Sequence, residues 1–159
     1  MYKEGQMMPE WHEYEKELKE WRDSTKTLAD MFYKTVAKYG DKTGNIYHDG
    51  ADWKYVSYNE WKVVSEEIAN ALLSIGVEKG SDICIISPTR VEWAWADIAI
   101  TISGCCTVSI FPTLSDDEIK FIMNHSEVSY VFTGNADLQG KMESLWKDIP
   151  TLKGCICFD

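Results

Sequence analysis

Positive charge is scarce in this sequence. Its 159 residues include 16 Lys and Arg against 26 Asp and Glu, so the formal net charge is −10. Proteins that bind nucleic acid or anionic membrane surfaces need clustered basic side chains to neutralise phosphate groups. The charge balance argues against both classes of partner, and we expect no nucleic acid to bind.

A long uninterrupted apolar run is also missing. Residues 1–21 contain no apolar stretch of the signal-peptide type. The one membrane candidate, residues 93–111, has a single charge at Asp97 and is long enough to cross a bilayer. Gly104 divides it into a helix-like half and a β-branched half, which is typical of a helix followed by a strand. We therefore predict no transmembrane segment.

Cysteine and histidine do not occur in metal-binding or disulfide-framework spacings. The cysteines are Cys84, Cys105, Cys106, Cys155 and Cys157, and the histidines are His12, His48 and His125. An odd number of cysteines argues against a secreted disulfide framework, so we expect a cytoplasmic protein. A structural zinc site uses four ligands, usually in paired spacings such as C-x2-C, which are absent here. We expect reduced thiols packed in the core and no metal ligand.

Familiar catalytic motifs are absent as well. The sequence has no G-x-S-x-G, no H-E-x-x-H and no G-x-G-x-x-G. Residues 134–142 resemble a phosphate-binding loop, but five residues instead of four separate Gly134 from Gly140. Met142 also stands where such a loop has a Ser or Thr for magnesium. On the residues alone we predict no catalytic and no cofactor-binding side chain.

The sequence does contain a series of amphipathic helices. Residues 1–26 form a predicted N-terminal extension with one such helix, in which Pro9 suits the first turn. Its apolar face consists of Trp11, Tyr14, Leu18 and Trp21. This stripe either docks onto the rest of the protein or forms an aromatic ligand box.

Two further helices flank a predicted β-hairpin. The hairpin turn is indicated by Asp49-Gly50 between two β-type runs. Residues 27–39 predict a helix that ends at Gly40, and Ser57 with Glu60 forms a capping box that begins the next helix. The faces predicted to be buried are Leu28, Phe32, Val36 and Tyr39 on the first helix and Trp61, Val64, Ile68, Leu72 and Ile75 on the second. The second helix should close at Gly76, with Val77 as its apolar contact.

From about residue 82, predicted strands and helices alternate. The strands are residues 82–87, 106–111, 128–133 and 152–158. The pairs Thr89/Glu92 and Ser115/Glu118 are capping boxes for two of the intervening helices, and residues 136–148 form a third, interrupted by Gly140. Repeated βαβ units predict right-handed crossovers and a doubly wound, mostly parallel sheet. We therefore expect an α/β fold over residues 27–159, in which the N-terminal helices and hairpin precede the sheet.

The carboxyl ends of the predicted strands are the candidate binding region, because ligands bind there in open α/β sheets. The loops concerned are residues 87–90, 111–115 and 133–135. Each precedes a helix N-terminus that favours anions, and Arg90 adds a positive charge. The alternative is architectural, since every such loop needs the same turn and cap residues.

Residues 56–134 resemble the N-terminal part of adenylate-forming (AMP-binding) acyl-CoA synthetases, and are most similar to the long-chain fatty-acid type. The resemblance is carried by GVEKG before the first strand, by SPTRVEWAWADIAI and by FPTLSDDEIKFIMNHSE, and extends loosely over residues 27–159. The sequence departs from the family at Ser81, where Asp is usual after the glycine. It also departs at Cys105 and Cys106, where small or apolar residues are common.

This resemblance implies a parent enzyme that is an ATP-dependent acid–thiol ligase. A fatty acid would react with ATP to give an acyl-adenylate and pyrophosphate, and coenzyme A would then displace AMP, with magnesium neutralising phosphate charge. The family's phosphate loop, nucleotide motifs and catalytic Lys lie downstream of this region, and no position here matches them. The chain is therefore expected to be a truncated, inactive N-terminal fragment.

Two other interpretations stay open. The chain could be a free-standing α/β binding or interaction module without catalysis, or part of another adenylate-forming ligase for short-chain, aryl or amino acids. A truncated sheet would leave an uncovered edge and apolar surface, so we also expect the fragment to self-associate.

Overall fold

A computed structural model of the chain describes the backbone of residues 9–159 and the side chains of residues 13–159. The side chains of Trp11 and His12 lie outside the described residues. The helices are α1 (Pro9–Ser24), α2 (Leu28–Tyr39), α3 (Tyr58–Ser74), α4 (Val91–Ile102), α5 (Asp116–His125) and α6 (Ala136–Leu145), followed by a 3₁₀ turn (Trp146–Asp148). The strands are β1 (Thr43–His48), β2 (Trp53–Ser57), β3 (Asp82–Ile86), β4 (Cys106–Ile110), β5 (Tyr130–Thr133) and β6 (Gly154–Cys157).

Strands β3 to β6 form an all-parallel sheet in the order β4-β3-β5-β6. Residues 83–86 of β3 are completely buried, at 0% exposure. Since side chains alternate along a strand, Ile83 and Ile85 pack with α3 and α4, whereas Cys84 and Ile86 pack with α5 and α6. Helices therefore cover both faces of the sheet, and the predicted α/β fold is confirmed.

The stretch at residues 93–111 is two elements instead of one membrane-length helix. Helix α4 ends at Ile102, and β4 begins at Cys106. Between them Gly104 has a φ of 73°, and its N–H bonds to the carbonyl of Thr101 at 3.1 Å. Among the residues that the structure describes, no helix combines the length and apolar character needed to cross a bilayer.

Two of the three predicted capping boxes are present. The hydroxyl of Ser57 accepts from the N–H of Glu60 at 3.2 Å, and the Glu60 carboxylate accepts from the N–H of Ser57 at 2.8 Å. Ser115 and Glu118 make the same reciprocal pair at α5. These bonds satisfy backbone donors that a helix start leaves free, which explains where α3 and α5 begin.

The third predicted box, Thr89/Glu92, is wrong. Arg90 is the residue that precedes α4, and it makes no side-chain cap bond. The Glu92 carboxylate instead accepts from Nε of Arg90 at 2.8 Å. A bond between two charged groups is stronger than one to a backbone N–H, so the guanidinium takes the carboxylate that the cap would have used.

The end of α3 corrects one predicted core residue. Ile75 is 49% exposed, whereas Leu72 is 1% exposed. Gly76 adopts a left-handed φ of 87°, which lets the N–H of Val77 bond back to the carbonyl of Leu72 at 3.1 Å. Val77 is buried under the helix end as a result and replaces Ile75 in the core. The buried residues of α3 are Ser65, Ala69 and Leu72, beside the half-buried Trp61, Val64 and Ile68.

Helix α2 is buried along a narrower face than predicted. Phe32 and Val36 are buried, but Leu28 is 64% and Tyr39 36% exposed, at the two ends of the helix. The helix ends at Tyr39, before Gly40, as predicted, but Gly40 is not left-handed, since its φ is −44°. A Cβ there would come within 2.6 Å of a side-chain oxygen of α3, so this glycine permits close packing.

The predicted hairpin is confirmed. Strands β1 and β2 pair antiparallel, and residues 49–52 connect them. One carboxylate oxygen of Asp49 accepts from the N–H groups of Ala51 and Asp52, at 2.9 and 2.8 Å. The outer face of the hairpin presents Ile46, Trp53 and Tyr55, each more than half exposed.

The aromatic stripe of α1 borders a cleft beside α2. An ion pair between Glu17 and Lys38 joins the two helices. Trp21 is half-buried, while Tyr14 and Leu18 remain 51% and 46% exposed. These side chains line a cleft of about 690 Å³ between α1 and α2. The stripe is therefore only partly covered.

Leu72 and Ile75 offer a direct test of the corrected α3 face. Leu72→Ala should lower the free energy of unfolding by about 2–5 kcal/mol, because it leaves a cavity at a fully buried site. Ile75→Ala is the matched control and should change it by less than about 1 kcal/mol. Urea unfolding followed by circular dichroism measures both, and equal losses would contradict the assigned face.

The hairpin turn predicts a pH effect. The N–H groups of Asp52 and Ala51 lower the pKa of Asp49 from 3.8 to about 2. The charged carboxylate therefore stabilises the fold above the unfolded pKa, and that stabilisation is lost as the pH falls from about 4 towards 2. Asp49→Asn should show a smaller loss of stability between pH 5 and pH 2.5 than the unchanged chain. An NMR titration of Asp49 that gives an ordinary value would refute this explanation.

We also expect the chain to self-associate. Strand β4 is at the edge of the described sheet, and Phe111, directly after it, is 77% exposed. Light scattering should detect species larger than one chain at high concentration. Phe111→Glu should reduce their amount, while Phe121→Glu, at a 69% exposed position on α5, should not. A monodisperse monomer of the unchanged chain would contradict this expectation.

Candidate functional site

The predicted loops meet at the carboxyl edge of the sheet. The chain passes from β3 to β4 on one side and then to β5 on the other, so the strand order reverses between β3 and β5. Such a reversal opens a ligand-binding crevice in many α/β sheets. The loops at residues 87–90 and 133–135 border this position.

Arg90 lies at this reversal, and its guanidinium contacts several other parts of the fold. Its Nε donates to Glu92 and its Nη1 to Asp159, both at 2.8 Å. Nη1 also donates to the carbonyl of Gly134, and the guanidinium carbon is 5.6 Å from the centre of the Phe158 ring. Glu92 and Asp159 raise the pKa of Arg90, and Arg90 lowers the pKa of Glu92. Two carboxylates therefore already compensate the predicted anion-attracting charge.

Gly134 closes the crevice from the other side. Its N–H donates to the carbonyl of Ile86 at 3.0 Å. A Cβ on Gly134 would lie 2.4 Å from Oγ of Ser87 and 2.9 Å from Cδ of Pro88. Protein atoms fill the space between the ends of β3 and β5, which favours the architectural alternative for these loops.

An open cleft lies instead between the ends of β3 and β4. It measures about 500 Å³ and is lined by residues 87–90 and 111–113 together with Trp93. Two of the three predicted loops thus line this cleft, whereas residues 133–135 contact the first loop but do not line the cleft. Farther along the second loop, Ser115 is engaged in the α5 capping box. The lining is mainly apolar and offers no nucleophile with a base beside it.

The segment that resembles a phosphate-binding loop is helical from Ala136 onward. Gly140 and Lys141 lie inside α6. The predicted interruption of the helix at Gly140 is therefore wrong. The ammonium group of Lys141 donates to the carbonyl of Leu114 and pairs with Asp116, both at 3.0 Å. Backbone N–H groups inside a helix bond to the helix itself, so they cannot surround a phosphate.

The cysteines are free, but they are not all in the core. Burial raises the pKa of the Cys84 and Cys155 thiols, which keeps them protonated and unreactive. Cys106 is exposed, because β4 is an edge strand. Within residues 13–159, no cluster of three or more His, Cys, Asp or Glu is arranged to hold a metal ion.

The cations at this edge of the sheet are already engaged by other protein groups. Arg90 and Lys141 are both paired with carboxylates. The N-termini of α5 and α6 are capped by the side chains of Ser115 and Asn135, so they offer fewer free N–H groups to a phosphate. We derive no catalytic step from these residues, and the absence of catalytic residues in this chain stays a prediction.

Sequence reasoning missed the partners of Arg90. Glu92 was assigned to a cap, and Asp159 was not singled out at all. Asp159 is 69 residues away along the chain. Only the parallel pairing of β5 with β6 brings it to the same edge, so no local pattern could have indicated the contact.

Comparison with known proteins identifies the family. The family model described as AMP-binding enzyme matches residues 32–159. Fatty acyl-CoA synthetase B of Dictyostelium discoideum is 29% identical over 147 residues, which cover 86% of this chain and 21% of the relative. The long-chain-fatty-acid–CoA ligase ACSBG1 of Rattus norvegicus is 22% identical over 132 residues, which cover 83% of this chain and 18% of the relative. The chain thus spans about a fifth of the length of these relatives.

Solved structures share the fold. A long-chain-fatty-acid-CoA ligase from Archaeoglobus fulgidus matches with a TM-score of 0.75 and 19% identity, covering 84% of this chain and 27% of that one. The A domain of a carboxylic acid reductase from Segniliparus rugosus matches with a TM-score of 0.77 and 19% identity, covering 89% and 25%. Since the family match takes in most of the α/β fold and well over half of the sequence, the chain belongs to the AMP-binding enzyme family.

Proposed function

We propose that this chain is the N-terminal α/β part of a longer long-chain fatty acid–CoA ligase. The observation that carries the proposal is the similarity to a fatty acyl-CoA synthetase over 147 residues, within a chain that belongs to the AMP-binding enzyme family. The similarity to a long-chain-fatty-acid–CoA ligase over 132 residues supports the choice of long-chain acids.

The proposed reaction of the longer enzyme has two steps. An oxygen of the fatty-acid carboxylate attacks the α-phosphorus of ATP, and the bond to pyrophosphate breaks, which leaves an acyl-adenylate. The sulfur of coenzyme A then attacks the acyl carbon, the bond to AMP breaks, and the thiol proton is released. Magnesium bound to the phosphates would neutralise their charge.

In this proposal the chain supplies structure instead of chemistry. Strand β3 and its neighbours form a rigid layer, while Arg90 and Lys141 fasten the loops at its carboxyl edge. The sites for ATP, magnesium and coenzyme A belong to polypeptide outside this chain. The chain alone should therefore bind none of them tightly and should be inactive.

Pyrophosphate exchange tests the proposal. The 159-residue chain should show no ATP–pyrophosphate exchange with palmitate, because its sequence is predicted to contain no phosphate-binding loop. A longer polypeptide encoded by the same reading frame should show exchange that depends on both palmitate and magnesium. Turnover by the short chain would refute its predicted inactivity. A longer polypeptide inactive with every acid would favour a binding module.

A panel of acids tests the substrate class. The fold is shared with a ligase whose complex contains anthranoyl-AMP, so similarity of fold alone does not select a fatty acid. The longer polypeptide should prefer palmitate over acetate, anthranilate and free amino acids. Preference for one of the others would replace the long-chain assignment within the same enzyme class.

A further inference from the structure

Arg90 connects three parts of the chain that are far apart in sequence. Its guanidinium contacts Glu92 in the first turn of α4, Gly134 after β5, and Asp159 after β6. Gly134 and Asp159 are 44 and 69 residues away along the chain. Because β3, β5 and β6 are neighbours, one side chain spans the carboxyl ends of three adjacent strands.

The end of β6 depends on few other contacts. β6 has four residues, is only half-buried, and pairs within the described sheet with β5 alone. Beyond it, the N–H of Phe158 donates to the carbonyl of Thr133 at 3.0 Å, and its ring stacks on Phe132 at 5.6 Å. Arg90 adds an ion pair to Asp159 and a cation–π contact to Phe158. The chain after β6 is therefore held from two sides, by β5 and by Arg90.

The geometry of these contacts requires a guanidinium. Nε and Nη1 donate in different directions, to Glu92 on one side and to Gly134 and Asp159 on the other. The planar group also lies over the Phe158 ring. A lysine ammonium is a compact point charge on a flexible stem, so it cannot hold this set of partners together.

We propose that Arg90 is a positioning residue: its guanidinium holds the turn at Gly134 and the segment after β6 in one fixed arrangement. The catalytic meaning of this role rests on the proposed function, because the nucleotide-binding polypeptide would continue from Asp159. The role itself is defined by contacts within this chain and can be measured without any activity.

Amide hydrogen exchange of the 159-residue chain tests the role directly. Arg90→Lys keeps the positive charge and removes the planar set of N–H donors of the guanidinium. It should accelerate exchange at Gly134 and Phe158 by about tenfold or more and leave Ile85, in the central strand, unchanged. Arg22→Lys is the matched control, because Arg22 and Arg90 are the two arginines of the sequence and Arg22 is 71% exposed. Arg22→Lys should leave the exchange rates of all three amides unchanged.

A second variant separates the two distant contacts. Asp159→Asn removes the charge that Asp159 contributes to the ion pair with Arg90. It should accelerate amide exchange at Phe158, while the exchange rate of Gly134 should stay as in the unchanged chain. Equal acceleration at all three amides in Arg90→Lys would mean a general loss of stability and would overturn the proposal. Unchanged exchange at Gly134 and Phe158 would overturn it as well.

The longer polypeptide distinguishes this inference from the proposed function. If it catalyses palmitate-dependent pyrophosphate exchange, Arg90→Lys should lower kcat by about tenfold or more, since small displacements of a binding loop are costly, and Arg22→Lys should not. An active ligase with an unchanged kcat in Arg90→Lys would overturn the positioning role. An inactive longer polypeptide would count against the proposed function, while the hydrogen exchange of the short chain would still decide the role of Arg90.

Discussion

Complete burial of the central strand is the constraint on which the rest of the structure depends. Residues 83–86 of β3 are inaccessible to water, so every backbone donor and acceptor there must find a protein partner. β4 supplies those partners on one side and β5 on the other. The apolar side chains on both faces then require α3 and α4 above and α5 and α6 below.

At the carboxyl edge of this sheet, charged side chains of the described residues hold the loops together. Arg90 joins β3, β5 and β6, and Lys141 reaches back from α6 to the loop after β4. Both cations contact backbone carbonyls as well as carboxylates, and so satisfy acceptors that the ends of the strands would leave unpaired. In this chain the charged groups Arg90 and Lys141 thus hold loops together.

Local signals in the sequence were reliable where no distant residue competed for the same atoms. The boxes at Ser57 and Ser115 formed because each needs only residues three positions apart. The strand pattern was also informative, because a strand buried on both faces must be apolar throughout. The alternation of strands and helices then left few possible topologies, and the fold class followed.

Predictions failed where the tertiary structure decided the outcome. The box at Thr89 was lost because Arg90, itself held by distant groups, took the carboxylate of Glu92. Ile75 continued the helical period but lies where the chain already turns away. The prediction of the candidate site was the least accurate, because Asp159 comes next to Arg90 only after β6 has paired with β5.

The order of the strands also has a consequence for how the protein is made. β3 leaves the ribosome before either neighbour, and its bond from Ser129 to Asp82 joins residues 47 positions apart. Contacts of such long range form slowly, because a large loop must close before they contribute. Residues 83–86 of β3 are all apolar and have no partner strand until then, which exposes the nascent chain to aggregation. The apolar residues that keep water out of the centre of the folded sheet are therefore an aggregation risk until β4 and β5 have been synthesised.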